Sequence, residues 1–160
     1  MRVWTVAAAL AATLPSAATA KGPIDPIAFF TGRSHGEATL KVLLQPTTTV
    51  TVESIGKRGR NGTLILDQRV RQEGKEAKSR RWVLRRLAPG RYTGTLSDAV
   101  GPVTVTSDTQ AVQIRYEMKD GLQVEQTLTP QERGRVMDNL MRVRKLGLIV
   151  ATLQERIEKR

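Results

Sequence analysis

Between His35 and Leu128 the chain alternates apolar and polar side chains with a period of two. In Glu37–Leu44, Ala38, Leu40, Val42 and Leu44 share one side while Glu37, Thr39 and Lys41 share the other. Val50 and Val52 oppose Thr49, Thr51 and Glu53; Leu64, Leu66 and Val70 oppose Ile65, Asp67, Arg69 and Arg71. Further on, Val112, Ile114, Tyr116 and Met118 oppose Gln113, Arg115 and Glu117, and Leu122, Val124 and Leu128 oppose Gln123, Glu125 and Thr127. Such runs are strands with one dry and one wet face. The breaks between them are short turns carrying Asn61-Gly62, Ala88-Pro89-Gly90 and Asp120-Gly121, the chemistry that tight hairpins use. Short turns make chain neighbours antiparallel. The expected fold is therefore a mainly β antiparallel meander that curls around its own core, and closure removes its exposed edges. About eight strands are expected.

The segment SRRWVLRRLAPGRYTGTLSD, Ser79–Asp98, holds five arginines and Trp82. Trp82 and Leu84 take the inward series; Arg81 and Arg85 point to water, and Arg80 and Arg86 sit near strand ends, where long side chains reach out. In the next run Tyr92, Gly94, Leu96 and Asp98 are inward. This is a wet basic face rather than a nucleic-acid site, because single-strand binders interleave cations with exposed aromatics and aromatics are only 4% of this chain.

The first twenty residues, MRVWTVAAALAATLPSAATA, carry a basic Arg2, an apolar stretch from Val3 to Leu14 and a small-residue end, Ala18-Thr19-Ala20. That is the pattern of a cleaved secretory leader, and the apolar stretch is short for a bilayer span. The expected division is a signal peptide over 1–20, a lead-in over 21–34 and one barrel domain over 35–160, with a periplasmic location. The chain has no cysteine and a single histidine, His35. Thiol chemistry, disulfides and cysteine zinc sites are excluded, and no metal or cofactor is expected. No Gly-rich phosphate loop, GxSxG or HExxH occurs, so no enzymatic activity is expected.

The stretch from Pro130 to Arg160 reads in two ways. One is a single helix on Val136, Leu140, Val143, Val150, Leu153 and Ile157, burdened by Gly134 and Gly147 at about 1 kcal/mol each. The other is a short strand near Arg135–Asp138, a helical turn over Asn139–Leu146, and a last strand over Leu148–Ile157.

Four motifs in order resemble one bacterial family: Phe29-Phe30-Thr31-Gly32 before Gly36; Arg81-Trp82; Tyr92-Thr93-Gly94 followed by Asp98-Ala99-Val100-Gly101; and Asn139, Met141 and Lys145-Leu146-Gly147. The chain resembles the DUF3833-type proteins, an uncharacterised family of exported proteins and lipoproteins. The resemblance implies a lipocalin-like barrel and so favours the strand reading of Leu148–Ile157, the reading with a short helix before the last strand. It implies no activity. The chain departs from the family in lacking a lipobox cysteine, in having Gln131-Glu132-Arg133-Gly134 where an acidic–Trp pair is usual, and in Leu146 for an aromatic.

The interior is the functional lead. A barrel of this size either fills with side chains or holds one small ligand. Trp82, Tyr92 and Tyr116, with Asp98 at a strand end, are the candidate lining for an apolar or amphipathic, lipid-like molecule. They also read as plain core, and Asp98 reads first as a turn-stabilising aspartate. The alternative is a filled barrel docking through its basic face, including Arg58, Arg60, Arg81 and Arg85, on anionic lipid, lipopolysaccharide or an acidic protein. The formal charge of +11 suits such a partner.

Overall fold

The computed structural model describes residues 21–160, so the leader expected over 1–20 lies outside the described residues. Ten strands run in chain order: β1 (Gly32–Val42), β2 (Thr48–Arg58), β3 (Leu64–Gln72), β4 (Lys78–Ala88), β5 (Arg91–Leu96), β6 (Ala99–Ser107), β7 (Val112–Met118), β8 (Gln123–Gln131), β9 (Val136–Lys145) and β10 (Leu148–Lys159). Each pairs antiparallel with its chain neighbours, and β10 closes on β1 through pairs such as Ala38↔Glu155. The result is a closed barrel of lipocalin-like type with two more strands than expected. The boundary drawn before His35 falls inside β1.

Of the C-terminal readings, the last strand over Leu148–Ile157 stands as β10, while the helical parts are corrected. Residues 139–146 are not helical; they belong to β9, whose hairpin partner is β10. The turn between them is Leu146-Gly147, with φ of 51° and 83°. Two successive left-handed residues make the two-residue hairpin turn that matches strand twist. Gly147 thus turns the chain between two strands.

One end of the barrel is sealed by a short helix, α1 (Pro26–Phe30), in the lead-in. Asp25 caps it, its Oδ1 accepting from the Ile27 and Ala28 amides at 3.0 and 3.2 Å, and Pro26 stands at the start of the helix, where a missing N–H costs nothing. Ile27, Phe29 and Phe30 enter the core with Leu64, Val103, Val112, Leu128 and Met137. Gly56 permits the close fit: a Cβ there would lie 1.8 Å from the Phe30 carbonyl oxygen. The lead-in is further tied by Ile24 N–H to the Asp108 carbonyl at 2.8 Å and by Arg86 to Asp25 at 2.6 Å. The opposite end is the mouth, bounded by the β1–β2, β3–β4, β5–β6, β7–β8 and β9–β10 turns.

Candidate functional site

A domain usually holds one contiguous apolar cluster with smaller satellites beside it. Here there are two. The large one runs from the plug up the β3–β9 walls; the small one, Ala38, Val50, Val52 and Leu153, lines β1, β2 and β10 nearer the mouth. Among the described residues Met141 packs against both.

Polar side chains of the inward register form a belt at this level. On one wall Gln68 Nε2 donates to Ser54 Oγ at 3.0 Å, while Gln68 Oε1 accepts from Trp82 Nε1 at 2.7 Å and from Arg80 Nε at 2.9 Å. The Arg80 guanidinium also stands 5.8 Å from the Trp82 ring centre, within cation–π reach. On the facing wall Gln126 Nε2 donates to Tyr116 Oη at 3.2 Å, and Asn139 Nδ2 is shared between Gln126 Oε1 at 3.0 Å and Glu155 Oε2 at 2.9 Å. The two chains meet where Trp82 and Tyr116 pack edge to face, 5.5 Å between ring centres. Gly36 makes room for the carboxylate, since a Cβ there would lie 2.1 Å from Glu155 Oε1.

The belt carries one positive and one negative group, Arg80 and Glu155. Among the described residues no ion pair joins them. Burial pushes the Glu155 carboxyl above its ordinary 4.5, partly opposed by the Asn139 hydrogen bond and the charges of Arg80 and His35. Burial likewise raises the Tyr116 phenol, against the pull of Arg80. Asn139 Oδ1 is buried with no hydrogen-bond partner among the described residues, and such an atom needs an explanation.

A raised carboxyl has a signed consequence. In the folded barrel Glu155 holds its proton to higher pH than in the unfolded chain, so its contribution is best below about 4.5 and is lost as pH rises through the folded value. Glu155→Gln keeps an acceptor for Asn139 and removes that titration. Urea midpoints measured from pH 4.5 to pH 8 should show the variant gaining on the native chain as pH rises. Parallel curves would place the carboxylate in water.

The residues expected from the sequence separate. Trp82 and Tyr116 are in the belt. Tyr92 is not; it lies at the plugged end beneath Arg86, 5.5 Å from its guanidinium, because the alternation specifies a side and not a height along the barrel. Asp98 stands in the β5–β6 turn at the mouth, half-buried, accepting from Ser97 Oγ at 2.9 Å. Arg80, Gln68, Gln126, Asn139 and Glu155 were missed as lining, although alternation puts Gln68 and Gln126 inward. Of the basic face, Arg58 and Arg60 are at the plugged end and Arg85 is on the outer wall of β4. Arg81 is held by both Asp67 oxygens, at 2.6 and 3.0 Å. His35 faces outward between Glu53 at 2.7 Å and Glu37 at 3.3 Å. The outer wall has depressions, one of about 610 Å³. It is an open trough lined by Asp138, Arg142, Gln154 and Arg156, and also by Asn139 and Glu155 of the belt.

The sequence profile of a family described as "Protein of unknown function (DUF3833)" matches residues 3–159. No curated protein matches the chain. Among solved structures, the S-type phycobiliprotein lyase CPES from Guillardia theta is similar with a TM-score of 0.64 and 8% identity, over 84% of this chain and 90% of that one. A protein of unknown function from the DUF3598 family of Nostoc punctiforme gives a TM-score of 0.57 and 13% identity, over 92% of this chain and 53% of that one. At these identities the likeness is one of fold. It corrects the expectation of no enzymatic activity all the same. A barrel of this shape is a phycobiliprotein lyase, so missing sequence motifs do not set this chain apart from enzymes.

Proposed function

The chain belongs to the DUF3833 family, whose description assigns no activity, and on that premise we propose that its barrel binds a single-chain anionic amphiphile, head group on the polar belt and tail toward the mouth. One observation carries the reading: Arg80 and Glu155 face the interior of a barrel whose apolar lining is split in two. A charge is costly inside a protein unless something compensates it. Among the described residues Arg80 meets a neutral amide oxygen and a ring face, which leaves most of its donors for an acidic head group. A hydroxyl or N–H of the same head group would satisfy Asn139 Oδ1. Ala38, Val50, Val52 and Leu153, with Leu40 and Val70, offer the tail an apolar wall. Ten strands also give a wider lumen than eight.

Trp82 is the only tryptophan after residue 20, and it sits in the belt, so its emission reports the site. Titration with lysophosphatidylglycerol below its micellar concentration should give a saturable change, weaker with lysophosphatidylcholine. A flat response to both sinks the reading.

That a similar barrel is a phycobiliprotein lyase supports a second reading of the same site. Chemistry would occur on the bound molecule, with Glu155 carrying the proton, and its burial-raised carboxyl favours that role. Its signature is Glu155→Gln retaining binding while losing turnover. The leader pattern supports export with cleavage after Ala20, to be tested by whether the mature chain begins at Lys21.

A further inference from the structure

We infer that the mouth of the barrel docks on an anionic phospholipid bilayer through two neighbouring hairpin tips, those of β1–β2 and β9–β10. Because β1 pairs with β10 up to Val42↔Ala151, and the Leu43 N–H bonds the Val150 carbonyl at 2.8 Å, the two turns lie side by side. They present Leu43, Leu44, Leu146, Leu148 and Ile149 to solvent, Leu44 and Leu146 being 97% and 96% exposed. Scattered exposed leucines are ordinary; a contiguous apolar patch marks a contact surface.

Two further observations point to the occupant. Leu44 and Leu146 both have left-handed backbones, with φ of 60° and 51°. Glycine or asparagine is the undemanding choice there, and leucine at both tips works against the backbone. The charge around the tips is also one-sided. From Ala38 to Val52 and from Asn139 to Gln154 there is no acidic residue, while Lys41, Arg142, Arg144 and Lys145 are present. Glu125 on β8 takes part of Arg144, at 3.6 Å, and Glu73 reaches across to Thr49. Apolar tips flanked by Lys41, Arg142, Arg144 and Lys145 match a lipid surface, where leucines enter the acyl boundary and lysines stay at the head groups. This face differs from the one holding Arg58 and Arg60, which stand at the plugged end. The docking stands independently of the ligand reading, although it would set the mouth against a source of amphiphiles.

Sedimentation with vesicles of phosphatidylcholine and phosphatidylglycerol in a three-to-one ratio tests it, using the chain from Lys21, whose residues form the whole barrel. The native chain should sediment, and less so as salt is raised. Leu44→Asp with Leu146→Asp should lower partitioning at least tenfold. Lys41→Glu with Lys145→Glu should lower it similarly and flatten the salt dependence, while Arg58→Glu with Arg60→Glu should change it less than twofold. Leu44→Gly with Leu146→Gly separates docking from folding: the melting temperature should hold or rise, since glycine suits these φ values, while vesicle binding falls. Partitioning indifferent to the tip substitutions overturns the inference. So does a dimer in sedimentation velocity that the tip substitutions dissolve while vesicle binding is absent, because the leucines would then serve a second copy of the chain.

Discussion

Phe30→Ala lowers the stability of the barrel by about 3–5 kcal/mol, the usual cost of emptying a buried phenylalanine site. Phe30 is 7% exposed and packs edge to face on Phe29, with ring centres 4.9 Å apart. Its effect exceeds that of an ordinary wall residue because α1 has only five residues. So short a helix has no stability of its own and exists by docking. Its loss would wet Leu64, Val103, Val112 and Leu128, each at most 1% exposed. The variant should melt at much lower urea, with early hydrogen exchange at the Phe29 amide and at the Thr31 amide, which now bonds the Ile27 carbonyl. A change below about 1 kcal/mol would mean that the barrel is stable without its plug.

Arg80→Leu weakens binding of lysophosphatidylglycerol at least thirtyfold, and the chain stays folded. Removing one member of a buried, hydrogen-bonded charge contact costs about 2–5 kcal/mol, and the lower figure already corresponds to about thirtyfold. The fold is spared because Gln68 Oε1 keeps its second donor, Trp82 Nε1, so no buried acceptor is orphaned. Glu155→Gln moves in the other direction: it removes a negative charge near the anion and should tighten binding. The opposite signs separate an electrostatic site from an apolar slot, where Arg80→Leu would leave affinity unchanged or raise it.

Much of the wall was legible in the sequence because a half-buried strand imposes its period on every residue. Leu64 and Leu66, Val112 and Ile114, and Val124 and Leu128 all lie where alternation puts them. β9 was illegible because Asn139 is inward while Leu140 is outward, so polarity runs against register. Its turn lacks the Asn-Gly or Asp-Gly signal, leucine occupying the first left-handed position. The belt was obscured for a related reason. A polar residue in an inward series looks like noise until its partner appears, and Gln68 with Arg80, or Gln126 with Asn139, are joined only by strand pairing. The motif residues Gly36, Trp82 and Asn139 look unrelated along the chain. In the barrel Gly36 clears Glu155, which accepts from Asn139, and Trp82 stands at the junction of the two polar chains.

The central claim is that the split, charged interior holds an anionic amphiphile. Native mass spectrometry of the protein isolated from its own cells without detergent, followed by solvent extraction, tests it most directly. The spectrum should show a chain beginning at Lys21 with an added mass that extraction releases as a single-chain acidic lipid, and that Arg80→Leu loses. A bare mass for the native protein, unchanged when lysophosphatidylglycerol is added before spraying, would contradict it.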